Sequence, residues 1–531
     1  MKADLVLRKG RIRTMDRRQP IAEAAASIGD RWVAVGGVRD VDPLIGPGTI
    51  VMDLCGQAVV PGLTDSHVHL AGYGLSLQQV DGTGVQSAEA VAARVRDRAS
   101  GLAPGAWIRG RGWDRNLWSP QEAPLRQVLD EATSVHPVAL GSKDGHALWL
   151  NTEAFRRLGI GAEQLSAWGH EQAPLQSDGS AWGVLYERAA GDVEGMLARP
   201  SFDDVCGALQ TGARVALAFG ITGVHNCEGA VEFAATLHLR RQGALPIRLH
   251  AMIAHGDLDA AMHLGVATGL GDEWVRLGHL KLFADGSLGS RTADMLECYL
   301  DDARNRGIEV LSSDDLAQAV AAAAGAGIAP AIHAIGDRAN RRALDVLERT
   351  RARWHGRGLR PRIEHVQLLA EDDIPRLANL GVIASMQPIH ATSDWEMAEA
   401  CWGARTIGAY AWRSLLNSGT ILAFGSDCPV ETMDPFSGIY AAVTRQRCDG
   451  TPVGGWRTEQ CLSVTEAVWS YTQGAAWASG EESTKGSITP GKVADAAILS
   501  QDIFTVPADA LPATRVEATV CGGKVAYRAS R

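Results

Sequence analysis

Eight short apolar runs, finishing in polar residues, constrain this chain more than any other feature. They are AVVPGLTDSHVHL (58–70), GITGVHN (220–226), IRLHAMI (247–253), HLKLFAD (279–285), APAIHAI (329–335), RIEHVQL (362–368), VIASMQP (382–388) and ILAFGSD (421–427). Helical patterns follow several of them, such as SDDLAQAVAAAAGAG after the fourth and DRANRRALDVLERTRARW after the fifth. Strands alternating with helices predict a parallel sheet, and eight such units predict a closed α/β barrel. The first gap breaks the rhythm. About 150 residues part runs one and two, against roughly 13 to 43 later, and a compact domain does not carry that as bare loop. The stretch from about 75 to 200 is therefore expected to be an insertion with its own structure, rich in Trp, Gly and Pro around GAWIRGRGWDRNLWSPQEAP.

The two ends share another texture. Residues 1–60 read as short strands with turns, ADLVLRKGRIRT, SIGDRWVAVGG and TIVMDLCGQAVVPG. The tail from about 480 to 531 does the same, with GSITPGKVADAAILS and VEATVCGGKVAYR. Each end alone is too small to bury a two-sided sheet. One β domain built from both termini is the economical solution, with a barrel over 61–479 placed between them. At 531 residues, the chain has length for about two to four domains and a large core.

Composition narrows the function. Charged residues make up 21% and hydrophobic ones 46%, which is globular rather than disordered. A net charge of −10 favours neither nucleic acid nor an anionic membrane as the main partner. No run of 18 apolar residues marks a membrane span, and the N-terminus has no signal-peptide core. Nine scattered cysteines without a CxxC pair fit reduced thiols in a cytoplasmic protein. The expected partner is a small-molecule substrate; the oligomeric state stays open, with a homodimer among the options.

Barrel enzymes carry their chemistry at the C-terminal strand ends. Here those ends supply His67, His69, Lys281, His333, His365 and Asp427. His67 and His69 are two apart in an extended segment and share a face. The same parity joins His279, Lys281, Phe283 and Asp285, and likewise Ala423, Gly425 and Asp427. Four histidines and an aspartate at one barrel mouth suit a divalent transition metal, with zinc the default. A protonated lysine there would be repelled. As a carbamate, formed from its neutral amine and CO2, it becomes an anionic ligand able to bridge two metals.

The motifs PGLTDSHVHL, HLKLFADGSLGSRTA, AIHAIGDRAN, RIEHVQ and FGSDCPVE resemble the amidohydrolase superfamily. More narrowly they resemble the amidohydrolase-3 group, which includes YtcJ-like proteins and N-substituted formamide deformylases. The resemblance extends through GWDRNLW, KDGHALWLNTEAF and GVLYERAA to the tail KGSITPGKVADAAILS, nearly the whole chain. It implies a distorted TIM barrel, a composite β-sandwich and a metal centre. By position, His67, His69 and Asp427 would hold the more buried metal, His333 and His365 the second, and carbamylated Lys281 would bridge. The alternative is one metal, with Lys281 a structural or polarising cation. A hydroxide between the metals would attack an acyl carbon, and Asp427 would pass its proton to the leaving amine. An ester or lactone hydrolase needs the same machinery. Related deaminases place an acid three residues after the fifth-strand histidine, where this chain has Gly336 followed by Asp337. A non-catalytic scaffold would have lost ligands, and none is lost.

Further residues are open to two readings. Trp113, with Trp118, either walls a substrate pocket or packs the insertion, which is expected to roof the metal centre. His146 matches a family motif as a substrate contact. Arg291 either holds a substrate carboxylate or carbonyl or orders its loop, with Asp285 the suggested partner. His390 and Asp394, after strand seven, are pocket candidates. His225 and His250 read as satisfied barrel histidines, Cys428 as a small buried residue. Glu364 is expected to face outward by alternation.

Overall fold

A computed structural model of the chain describes residues 1–118, 124–143, 147–170, 172–197 and 199–530. Two compact units emerge, one formed by residues 1–71 and 206–531, the other by 72–205.

The larger unit holds the barrel. Its strands are β1 (Leu63–Val68), β2 (Ile221–Asn226), β3 (Arg248–Ala254), β4 (Val275–Phe283), β5 (Pro330–Ala334), β6 (Arg362–His365), β7 (Ile383–Met386) and β8 (Leu422–Phe424). They pair in sequence order, every neighbour parallel. Beyond β8 the chain returns to β1 through a parallel bridge between Val68 and Cys428. The amide of Asp427 donates to the His67 carbonyl at 2.7 Å, and that of His69 to the Cys428 carbonyl at 2.9 Å. Gly425 is required at this seam, because a Cβ there would lie 2.5 Å from the His67 nitrogen.

The first apolar run serves two sheets. Ala58–Pro61 belongs to a six-stranded sheet and Leu63–Val68 to the barrel. The turn between them is Gly62, where a Cβ would strike the Thr222 side chain at 2.2 Å. The six-stranded sheet joins the chain ends, since Ala58–Pro61 pairs antiparallel with Ala496–Leu499. A four-stranded sheet is made of N-terminal strands alone, Arg31–Gly36, Ala24–Ile28, Leu5–Arg8 and Ile50–Asp53. Leu5, Leu7, Trp32, Val59, Ile498 and Val520 pack in one core, so neither terminus buries its apolar face unaided.

The unit at 72–205 has a five-stranded sheet flanked by helices that include Ala88–Ser100 and Arg126–Ala132. Trp113, expected at a pocket wall, lies in this unit's own core at 3% exposure. Its indole N–H donates to the Leu140 carbonyl at 2.8 Å, and its ring packs against Trp118 and Trp149. An indole with its polar atom paired and its faces covered serves packing. Trp113→Ala is therefore expected to cost about 3–5 kcal/mol of stability. A melting curve of the variant checks this, and a melting temperature unchanged from the parent contradicts it.

Candidate metal centre

The site is assembled at the C-terminal strand ends by buried carboxylates. Asp65, on β1, accepts from the amides of His67 (3.1 Å) and Ser426 (3.0 Å) and from the Ser426 hydroxyl (2.5 Å). That staples β1 to the segment after β8 and delivers Asp427 beside His67. Burial pushes the Asp65 carboxyl up to about 6. Asp427, at φ 58°, and His365, at φ 76°, both leave their strands in the left-handed region. Strained backbone of this kind re-aims a side chain at the cost of local stability.

Among the described residues, ligand atoms of His67, His365 and Asp427 all lie within 4.8 Å of one another, and all three residues are buried. Asp427 Oδ1 stands 3.5 Å from Nε2 of both His67 and His69. Lys281 Nζ is 3.3 Å from His67 Nε2. The His333 ring is 4.6 Å from that of His365, centroid to centroid. His390 stacks on His365 at 6.0 Å with its Nε2 3.8 Å from Asp427 Oδ2. The strand-end residues Lys281, His333, His365, Asp427, His67 and His69 are thus neighbours in space.

The rings are held in defined tautomers. His67 Nδ1 bonds Glu364 Oε2 at 2.6 Å, and His365 Nδ1 bonds Gln387 Oε1 at 2.8 Å. Both leave an unprotonated Nε2 for the centre. His333 Nε2 donates to the Gly286 carbonyl at 3.0 Å, which leaves Nδ1 as its donor atom. Buried neutral imidazoles beside a carboxylate are the donor set of a divalent transition metal, so these residues fit one.

Electrostatics agree with that donor set. Burial holds His67 down to about 4 and His333 to about 3, with Lys281 adding to both shifts. Burial alone would raise Asp427, but His69 and the neighbouring rings outweigh it and keep the carboxylate ionised. One layer deeper, His225, His250 and His279 are also held neutral by burial. An unfolded chain protonates these imidazoles as pH falls through about 6.5, while the folded chain does not until much lower pH. Asp65 and Asp285, raised to about 6 and about 7 by burial, act in the opposite sense but are outnumbered. The metal-free protein is therefore expected to lose stability steadily from pH 7 to pH 5. Urea midpoints across that range check it, and a midpoint that rises on acidification contradicts it.

Glu364 corrects the alternation argument. It faces the barrel interior, fully buried, because β6 ends at His365 and the left-handed turn there swings His365 to the mouth. Arg362 and Glu364 then share the inward face. Burial would push the Glu364 carboxyl up, but Arg362 and His67 hold it well below the usual carboxylate range. Gln387 was legible as the polar end of the seventh run, yet an amide carries no metal signal of its own. Arg291 spends donors on Asp301 at 2.8 and 3.0 Å and on the carbonyls of Leu288 and Gly289. It orders its loop through Asp301, whereas Asp285 accepts the amides of Asp294, Ile335 and Gly336. His225 accepts from Arg362 at 2.9 Å and His250 meets His279 at 3.2 Å, but His225 Nε2 and His250 Nδ1 are buried without a hydrogen-bond partner, so the expectation of satisfied barrel histidines holds for one ring nitrogen of each. His146 lies outside the described residues.

A parallel eight-stranded barrel with this cluster at its mouth defines the class of metal-dependent barrel hydrolases. The chain belongs to the amidohydrolase family, whose sequence model matches residues 50–527. It is 33% identical to Protein LONG AFTER FAR-RED 3 of Arabidopsis thaliana, over 99% of this chain and 92% of that one. It is 29% identical to the putative amidohydrolase YtcJ of Bacillus subtilis (strain 168), over 91% and 92%. Identity to the N-substituted formamide deformylase of Arthrobacter pascens is 27%, over 99% and 98%. Among solved structures, an uncharacterized metal-dependent hydrolase from Pyrococcus horikoshii OT3 superposes with a TM-score of 0.80 at 28% identity, covering 95% of this chain and 99% of that one.

Proposed function

We propose that this protein is a zinc-dependent hydrolase that cleaves an amide-type C–N bond, with N-substituted formamides or N-acyl amines as the substrate class. The observation that carries this reading is the buried His67, His365 and Asp427 cluster with Lys281 Nζ 3.3 Å from His67. A divalent metal bound there supplies Lewis acidity, acidifying a water and polarising a carbonyl. His67, His69 and Asp427 would hold one metal and His333 and His365 a second, and Lys281, as a carbamate, would supply anionic oxygens to them. Asp427 accepts the proton of the attacking water and returns it to the leaving amine nitrogen as the C–N bond breaks. His390 lies beside that carboxylate, its Nε2 3.8 Å from Asp427 Oδ2. Gln367 Nε2 is 3.3 Å from His390 Nδ1, so the ring presents its Nε2–H toward Asp427 Oδ2.

The kinship with an N-substituted formamide deformylase supports the C–N bond over an ester. Deamination is disfavoured by the position three residues after His333. Gly336 there has no side chain, and Asp337 is engaged by the amide of Leu296. The test is turnover of a formamide, an ester and an aminopurine by protein stripped with a chelator and then reloaded with zinc. Amine release from the formamide, lost on stripping and restored by zinc, is expected. Ester or aminopurine turnover without formamide turnover would replace the substrate class.

A further inference from the structure

Glu364 orients His67, but a buried carboxylate does not stay in place unaided. Arg362, fully buried at the start of β6, grips it with two bonds, Nε to Oε1 at 2.5 Å and Nη2 to Oε2 at 2.9 Å. The same guanidinium reaches the Ser66 carbonyl on β1 at 2.6 Å, the Ser385 hydroxyl on β7 at 2.6 Å and His225 Nδ1 on β2 at 2.9 Å. One side chain thereby ties three other strands to the carboxylate that bonds His67 Nδ1. A pair this deeply buried is a poor stabiliser, because desolvating two charges costs about what their attraction returns, and apolar side chains would fill the space as well. What apolar residues would not do is aim a carboxylate oxygen at one ring nitrogen. Arginine's planar fork suits the task and a lysine's point charge does not, since four groups must be met from fixed directions.

We propose that Arg362 is a positioning residue of the metal centre: acting through Glu364, it fixes the ring plane and tautomer of His67 and so sets how tightly the site holds its metal. This rests on the reading of the cluster as a metal centre. His67 presents Nε2 because Nδ1–H is committed to Glu364, and Glu364 is committed because Arg362 holds both its oxygens. Loosening Arg362 frees the carboxylate to rotate, and the His67 ring follows it.

The experiment measures zinc dissociation constants by competition with a chromophoric chelator, at one fixed pH and without substrate, alongside the melting temperature of the metal-free protein. Arg362→Lys and Glu364→Gln are each expected to weaken zinc binding about 10–100-fold. The double variant should bind no more weakly than Glu364→Gln alone, because Arg362 acts through that carboxylate. Cobalt-loaded Arg362→Lys should also show a shifted visible absorption band, the signature of a re-aimed ligand. A variant that melts lower yet binds zinc within twofold of the parent overturns the proposal and leaves Arg362 a packing residue. Fully additive losses in the double variant overturn it as well. Should Arg362→Lys give no folded protein, Ser385→Ala is read instead. It keeps both charges and removes one acceptor of the guanidinium, and zinc affinity within twofold of the parent rejects the proposal there too. A parent protein that binds no zinc removes the metal centre itself, an outcome distinct from variants that bind as tightly as the parent.

Discussion

Asp427→Asn is expected to lower kcat/KM by about three orders of magnitude, within the span attributed to a positioned proton-transfer group. The substitution keeps the shape of the side chain and removes its charge. The fold should survive it, because Asn tolerates the left-handed conformation that position 427 adopts at φ 58°. The amide of residue 427 still donates to the His67 carbonyl across the barrel seam. What disappears is the carboxylate beside His67 and His69, and with it the proposed proton acceptor and one proposed anionic ligand. Kinetics on the zinc-saturated variant, with a melting curve, check this. Activity within tenfold of the parent contradicts the assignment.

Lys281→Ala is the second large effect. Lys281 is buried, with Nζ 3.3 Å from His67 Nε2 and 5.0 Å from the centre of the Phe283 ring. If its carbamate joins two metals, truncation removes the bridge and one metal with it, and turnover falls at least about a hundredfold. Acetate or propionate should restore part of both, because a small carboxylate offers the two oxygens the carbamate supplied. Metal content and rate, measured with and without the added acid, separate this from a lysine acting as a cation. A variant that keeps its metal and responds to no acid sinks the carbamate.

The barrel was legible because its strands end in residues that water-exposed mouths and metals demand, polar and ionisable, after apolar runs that the core demands. The runs at 220–226 and 421–427 contain β2 (Ile221–Asn226) and β8 (Leu422–Phe424). Of the six strand-end ligand candidates, His67, His365 and Asp427 converge within 4.8 Å for the same reason, with His69, Lys281 and His333 beside them. Alternation failed where the backbone leaves the strand. Glu364 faces inward and His365 reaches the mouth because His365 and Val366 have positive φ, a conformation that no periodicity encodes. The supporting shell was illegible for a different cause. Arg362 and Glu364 act through partners up to 297 positions away in sequence, as between Glu364 and His67. Trp113 misled because a tryptophan-rich segment reads alike whether it lines a pocket or fills the core of an inserted unit, and its indole N–H proves to be paired within that unit.

A metal centre built by these strand ends should be visible in an anomalous-scattering map of crystals of the zinc-loaded protein. One or two peaks are expected about 2.0–2.2 Å from His67 Nε2, His365 Nε2 and an Asp427 oxygen, with added density on Lys281 Nζ. A map with no peak touching His67 and Asp427, or with Lys281 more than about 7 Å from every peak, far beyond any such bond, would contradict it.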